Sequence, residues 1–125
     1  MAEGAPRSPA LAVAGALLGF LGVLCGAFGA HALEGRLSPD LHAVWETAAR
    51  YQLTHAVVLV FAGWIGARVA GWLFLPGIVL FSGSLYVLAL TGVRSWGAVT
   101  PLGGLCLLAG WLALAVAMLR PASKS

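Results

Sequence analysis

The side chains that could do chemistry in this 125-residue chain lie in one stretch, residues 31–55, with long apolar segments on both sides. They are two histidines, two carboxylates, two amphipathic aromatic rings and one amide: His31, Glu34, Trp45, Glu46, Tyr51, Gln52 and His55. Tyr51 and His55 are four residues apart, so they share one face of a helix. If the helices joined by this stretch pack antiparallel, His31 meets segment 45–55 near one membrane surface. We therefore predict one polar cluster there as the candidate site.

Three kinds of chemistry fit this polar cluster. In a structural cluster, the histidines donate to carbonyls at helix ends, and Trp45 and Tyr51 have the amphipathic shape found at headgroup level. In a proton relay or small-ligand site, Glu46 pairs with His31 or with Arg36. Metal or haem binding needs His31 and His55 on facing helices, and these two with one carboxylate barely reach three ligands. The structural interpretation is favoured, and we expect no resident cofactor.

The hydroxyl side chains further along do not predict an enzyme. Ser82, Ser84 and Thr91 lie in an apolar segment, where a nucleophile would need a base beside it. Hydroxyls in membrane helices commonly bond to the backbone or to a neighbouring helix. We therefore expect no catalytic activity.

Composition places the chain in a membrane. Hydrophobic residues make up 61% of it and charged residues 9%, against about 25% charged in soluble domains. The net charge is +3, but the seven Lys and Arg residues are scattered singly, so no basic patch indicates nucleic-acid binding. They lie between long apolar stretches, as flanking charges do at the ends of membrane spans.

The apolar stretches predict an all-α, polytopic integral membrane protein, a four-transmembrane-helix bundle in one domain, residues 1–125. A helix needs about 20 mostly apolar residues to cross the hydrocarbon core. Four stretches approach that length: residues 10–30, 53–67, 71–92 and 98–119. The first also has the small residues of a cleaved signal peptide, but its apolar stretch is longer than a signal core.

A short amphipathic helix is predicted between spans one and two, at residues 39–52. The tripeptide Ser38–Pro39–Asp40 combines an N-cap hydroxyl, a proline for the first helical position and an acid in the first turn. Glu46 precedes Arg50 by four residues, the order that stabilises a helix. This helix first lies at the interface and then either turns or continues into the bilayer.

Glycines predict two faces for close helix packing. Their spacing places them on one side of a helix, where a second backbone can approach: Gly15, Gly19, Gly22, Gly26 and Gly29 in span one, and Gly103 and Gly110 in span four. A compact bundle explains these faces. The alternative is that one of them recruits another protein.

Basic residues favour an N-terminus in the cytoplasm. That orientation places four of them inside and three outside, namely Arg7, Arg68, Arg120 and Lys124 against Arg36, Arg50 and Arg94.

Linked motifs follow one another along nearly the whole chain: Gly26–Leu33, Trp45–Ala48, Tyr51–Ala56, Phe81–Tyr86 with Leu88–Gly92, and Thr100–Gly104 with Gly110–Trp111. In this order they resemble the transmembrane protein 256 family, also called domain of unknown function 423. The resemblance implies a small integral protein of bacterial inner membranes, with no established biochemical activity.

The expected function is that of a structural or accessory subunit, which packs in a larger membrane complex or in a homo-oligomer. Its partners are then the lipid bilayer and other membrane proteins or copies of itself, and no nucleic acid. The alternative is a small transporter, channel or ligand-binding protein that uses His31, Glu46, Tyr51 and His55. An enzyme of lipid or quinone chemistry ranks last, because no nucleophile with a base and no cofactor motif is present.

Overall fold

The computed structural model describes residues 4–120, and they form an all-helical fold. The helices are α1 (Pro9–His31), α2 (Pro39–Ile65), α3 (Arg68–Thr91) and α4 (Thr100–Leu119), with a short 3-10 helix, Arg94–Ala98, before α4. Short connections make consecutive helices antiparallel, and the main packing contacts are between consecutive helices, most extensively α1 with α2 and α3 with α4. The prediction of an all-α fold is confirmed.

Prolines and glycines set the helix ends. Both α1 and α2 begin with proline, and α4 has Pro101 in its first turn, where the missing N–H is not needed for an intrahelical bond. Helices α2 and α3 end at Gly66 and Gly92, whose φ angles of 79° and 71° lie in the left-handed region that favours glycine. The start of α2 is the one that Ser38–Pro39–Asp40 predicts.

Three segments are long and apolar enough to cross a membrane, namely Pro9–His31, Arg68–Thr91 and Arg94–Leu119. They lie where the first, third and fourth spans are predicted.

Helix α2 is one continuous helix of 27 residues, which covers both the amphipathic helix predicted at 39–52 and the span predicted at 53–67. Of the two predicted alternatives, the amphipathic helix therefore continues and does not turn. No proline or glycine lies between Asp40 and Ala62, so nothing interrupts the backbone hydrogen bonds. The first half of α2 contains most of its polar residues, and the second half is apolar. In the second half, Leu59 and Ala62 are 0% exposed.

The apolar core lies between the four helices, around Phe74 of α3. Leu11 of α1 and Leu59 of α2 are, like Phe74, among the largest fully buried side chains, and Leu107 of α4 belongs to the same cluster. A smaller cluster around Trp45 lies near the α1–α2 connection. This second cluster borders the polar half of α2.

The α1–α2 contact follows a glycine seam, which consists of Gly15, Gly22 and Gly29 at seven-residue intervals. A Cβ built on Gly15 would lie 2.7 Å from the backbone nitrogen of Val60, and one on Gly22 would lie 2.9 Å from a methyl of Leu53. A seven-residue repeat keeps one helix face toward its partner, as in coiled coils. The seam therefore brings the backbone of α1 against the backbone of α2 at Gly15 and against side chains of α2 at Gly22 and Gly29.

Two glycines of the predicted face on α1 differ from the seam. A Cβ on Gly19 would make ordinary contact with Ala56 at 3.8 Å. A Cβ on Gly26 would meet no atom within 4 Å among the described residues beyond its own stretch of helix. Placing Gly26 on the packing face was therefore wrong, because this residue lies to the side of the seven-residue repeat.

The α3–α4 contact has a glycine face of its own. A Cβ on Gly103 would overlap the backbone of Phe81, and one on Gly110 would lie 2.8 Å from the ring of Phe74. Both glycines of span four thus pack inside the protein.

We predict that Gly15→Ala destabilises the protein and that Gly26→Ala does not. The new methyl at Gly15 must displace the backbone of α2, and overpacking of this kind typically costs about 1–3 kcal/mol. At Gly26 the methyl enters open space, and alanine favours the helix over glycine by about 1 kcal/mol. Thermal unfolding of the two purified variants in one detergent measures the difference. Equal midpoints would contradict the seam.

Candidate functional site

Side chains of α2 donate hydrogen bonds to backbone carbonyls of α1. The indole Nε1 of Trp45 donates to the carbonyl of Cys25 at 2.8 Å, and the amide Nε2 of Gln52 donates to the carbonyl of Leu18 at 2.8 Å. The two donors are seven residues apart, and so are the two acceptors. One face of α2 is therefore bonded in register to one face of α1.

The glycine seam makes these carbonyls accessible. A helical carbonyl accepts the N–H four residues later, and the side chain of that later residue lies beside its oxygen. Gly22 follows Leu18 by four residues, and Gly29 follows Cys25 by four. A Cβ on Gly29 would overlap the Trp45 indole. The seam thus leaves the second lone pair of each carbonyl open to a donor from α2.

Gln52 also joins α2 to α3. Its Oε1 accepts a hydrogen bond of 2.7 Å from the hydroxyl of Tyr86, while its Nε2 is bonded to α1. The residue is 5% exposed. One turn before Gln52 on α2, the carbonyl of Ala48 accepts a hydrogen bond of 2.8 Å from the hydroxyl of Ser82 on α3. Gln52 therefore acts as a bridge between three helices.

His55 joins α2 to α4. Its Nδ1 lies 2.7 Å from the carbonyl of Tyr51, and since a carbonyl only accepts, Nδ1 carries the proton. Its Nε2 lies 3.1 Å from the indole nitrogen of Trp111, which can only donate, so Nε2 accepts. The ring is 6% exposed and meets the indole edge-on. Both nitrogens of a neutral His55 are therefore used.

The prediction that His31 meets the segment around His55 is wrong. His31 is the exposed last residue of α1, at the end of the protein where α2 begins. His55 is sixteen residues into α2, about 24 Å along its axis, and it faces α4. The haem or metal arrangement on these two histidines has no support, because they are far apart and Nε2 of His55 already accepts a bond.

The other predicted residues lie in two separate places. Tyr51 is 41% exposed; its ring stacks on that of His55 with centroids 5.9 Å apart, and it lies 4.6 Å between centroids from the ring of Phe81 on α3. Glu34 and Glu46 are exposed and line the space between α1 and α2. The predicted polar cluster is thus divided between the interior, the outer surface and one groove.

His42, a residue that the sequence did not place in the cluster, is half-buried against α1. Its Nε2 donates to the carbonyl of Gly29 at 2.9 Å, and its Nδ1 lies 2.8 Å from a carboxylate oxygen of Glu46. One proton must lie between Nδ1 and that oxygen, on either the imidazole or the carboxyl group. The sequence could have indicated this contact with α1, because His42 lies three residues before Trp45 and therefore on the same face of α2.

A groove of about 570 Å³ opens between the C-terminal half of α1 and the N-terminal half of α2. We call it the α1–α2 groove. Its walls combine small, apolar and ionisable side chains: Gly26, Ala30, Glu34, His42, Trp45, Glu46, Ala49, Arg50, Leu53 and Thr54. Glu46 pairs with His42 here instead of with Arg50, and among residues 4–120 Arg50 makes no ion pair. The groove is therefore the candidate functional site.

A separate ion pair ties the α3–α4 connection to the start of α2. Arg94 donates to a carboxylate oxygen of Asp40 at 2.6 Å, and Ser38 donates to the other at 2.8 Å. The hydrogen bond from Arg94, and to a smaller extent the one from Ser38, holds the pKa of Asp40 below its usual range. A lowered pKa stabilises the fold above the usual value and loses that contribution as the pH falls through the native value. Because the pair is exposed, salt weakens it.

The helices and the groove define a small integral membrane protein with transmembrane helices. Residues 25–104 match the model of a family described as "Protein of unknown function (DUF423)". The chain belongs to this family, which confirms the resemblance seen in the sequence motifs.

Two relatives show how much of the chain is shared. The UPF0382 membrane protein SH2409 of Staphylococcus haemolyticus is 47% identical over 114 residues, which cover 86% of this chain and 93% of the relative. The UPF0382 membrane protein YwdK of Bacillus subtilis is 40% identical over 116 residues, which cover 86% and 94%. No solved structure matches the chain.

We predict that Gln52 and Tyr86 are energetically coupled. Gln52→Leu leaves the Tyr86 hydroxyl without its acceptor, and Tyr86→Phe leaves the Gln52 oxygen without its donor. A double-mutant cycle in reversible detergent unfolding should give a coupling of about 0.6–1.7 kcal/mol, the range for interhelical bonds in membranes. Thr91→Val is the matched control on α3, because its hydroxyl bonds within its own helix. If the coupling energy between Thr91 and Gln52 were as large as that between Tyr86 and Gln52, the assigned Gln52–Tyr86 hydrogen bond would be contradicted.

Proposed function

We propose that this protein is a structural or accessory subunit, which packs in a larger membrane complex or with copies of itself and catalyses no reaction. The observation that carries the proposal is the use of its interior polar groups. Within residues 4–120, every buried side-chain nitrogen and oxygen has a hydrogen-bond partner. Gln52, His55 and Ser82 use theirs to connect helices. This supports a rigid bundle over a reactive centre, which needs groups that are free to bind a substrate.

We further propose that α2 crosses the bilayer, which gives four spans. A polar helix is tolerated in lipid when neighbouring helices satisfy its polar groups. Trp45, Gln52 and His55 are satisfied in this way by α1, α3 and α4. The apolar second half of α2 is long enough to continue this crossing to Gly66.

The orientation proposed is N-terminus inside, in the inner membrane of the cell. Arg7, Arg68 and Arg120 lie at the end of the protein where α1 and α3 start and α4 stops, and Lys124 lies outside the described residues. Arg36 and Arg94 lie at the opposite end, together with Glu34 and Asp40. Arginine on the N-terminal side supports this orientation under the positive-inside rule.

Thiol labelling distinguishes four spans from three. In a chain with Cys25→Ser and Cys106→Ser, we expect Ala5→Cys and Arg68→Cys to react from the cytoplasmic side with a membrane-impermeant reagent. Gly35→Cys and Ser95→Cys should react from the other side. If α2 does not cross, Arg68→Cys reacts from the same side as Gly35→Cys, and Ser95→Cys reacts from the same side as Ala5→Cys. That result would contradict the proposal.

Purification from native membranes tests the accessory role. After chemical cross-linking in the membrane and mild solubilisation, the tagged chain should appear in an assembly larger than one copy, with a partner or further copies in fixed ratio. The untagged chain serves as the control for adventitious capture. A lone monomer both in the membrane and in detergent would overturn this role.

The α1–α2 groove favours ligand binding as a second candidate function. It contains Glu34 and Glu46 toward one end of the protein, with Arg50 one helical turn further along α2. Transport through the interior is less favoured, because Gln52 and Tyr86 close the space between α2 and α3. The groove is thus the place where a small molecule from the membrane would bind.

A further inference from the structure

We infer that the α1–α2 groove binds a phospholipid whose headgroup carries a primary ammonium, such as phosphatidylethanolamine. This inference rests on the second candidate function and names its ligand. It follows from the order of charges in the groove and from the open space beneath them.

The charges change sign along the axis of α2. Glu34, in the α1–α2 connection, and Glu46 place carboxylates toward the end of the protein. Arg50 follows Glu46 by one helical turn, about 5 Å further along α2. In a phospholipid the ammonium is likewise outermost and the phosphate lies beneath it. The headgroup can therefore place its ammonium by the carboxylates and its phosphate by the guanidinium, which binds phosphate well.

The lower part of the groove suits the start of an acyl chain. Leu53 follows Arg50 by three residues and Thr54 by four, and both line the groove. On the α1 side the wall is formed by Ala30 and Gly26, and a Cβ on Gly26 would meet nothing within 4 Å among the described residues of other segments. The groove therefore continues from charged walls to apolar ones in the direction of the lipid tails.

His42 fixes the position of Glu46. The imidazole is bonded to the carbonyl of Gly29 on one side and to one carboxylate oxygen of Glu46 on the other. The remaining lone pairs of that carboxylate stay available to a donor. The seam of α1 thus holds one of the two acids in a constant place, which limits the entropy lost when a headgroup binds.

The groove selects a primary ammonium over a quaternary one. Carboxylates accept hydrogen bonds from a primary ammonium, whereas quaternary ammonium groups are recognised by aromatic cages. The single aromatic side chain of the groove, Trp45, is 6% exposed and packs against Phe28 and Tyr86. A purely anionic headgroup has no ammonium to place beside the two carboxylates, so the carboxylates would repel it. We therefore expect binding to follow the order phosphatidylethanolamine, then phosphatidylcholine, then phosphatidylglycerol.

Lipid retention by the full chain tests this inference. The protein is exchanged into nanodiscs with equal parts of the three phospholipids and released into a mild detergent, and the lipids that stay bound are counted by native mass spectrometry. We expect phosphatidylethanolamine to be enriched about tenfold over phosphatidylcholine, a factor that corresponds to roughly 1.4 kcal/mol. Glu34→Gln and Arg50→Gln should each remove most of the enrichment. Asp40→Asn, at the same end but outside the groove, should retain it.

Three outcomes overturn the inference. Equal retention of phosphatidylethanolamine and phosphatidylcholine rejects the primary ammonium. A preference for phosphatidylglycerol rejects the role of the two carboxylates. Unchanged enrichment in Glu34→Gln, a substitution of an exposed side chain, places the bound lipid elsewhere. Unfolding midpoints of all variants exclude a general loss of structure, and because cross-linking measures assembly separately, the accessory role stands or falls independently.

Discussion

The close approach of α2 to the glycines of α1 is the constraint on which the rest of the structure depends. Because Gly15, Gly22 and Gly29 have no side chain, α2 lies close enough for Trp45 and Gln52 to reach carbonyl oxygens of α1. Those oxygens already accept a bond from their own helix, so α1 gives up no backbone bond to provide them. A purely apolar helix becomes the acceptor surface for a polar one.

This contact explains how α2 can carry so many polar groups among apolar helices. One face of α2 is satisfied by α1, and the remaining polar groups turn toward α3 and α4. Gln52 accepts from Tyr86, and His55 accepts from Trp111. Trp45, Gln52 and His55 thus each have a fixed partner on a neighbouring helix, whereas Arg50 makes no ion pair among residues 4–120. A polar helix held in this way specifies which helices are neighbours, where apolar surfaces alone would fit in several arrangements.

The sequence predicted the helices better than the site, and the residues show why. Proline, glycine and long apolar stretches act locally, so α1, α3 and the start of α2 at Pro39 could be read directly. The separation of His31 from His55 could not. A spacing of four tells that Tyr51 and His55 share a helix face, but it does not tell which helix that face meets. Since α2 contacts α1 on one side and α3 on another, its polar residues were assigned to one cluster although they face different neighbours.

Two other differences have the same origin in local reasoning. Arg50 ends an apolar stretch, so the sequence left open whether α2 turns or continues there, although no residue at that point breaks a helix. Gly26 was placed with the other glycines because spacings of three and four cover a broad face. In the structure, the glycines at intervals of seven, namely Gly15, Gly22 and Gly29, face α2 directly, whereas Gly26 does not.

The geometry of the seam also accounts for the α1–α2 groove. Gly26 and Ala30 lie beside the seam and extend too little to fill the space next to it. On the facing side, Glu46 and Arg50 are four residues apart and border the same space. The close approach at Gly22 and Gly29 keeps the two helices together, so this gap stays at their surface and does not become a passage between them. The same repeat that satisfies α2 therefore leaves Glu46 and Arg50 in a recess at the surface of the bundle, while the interior remains closed.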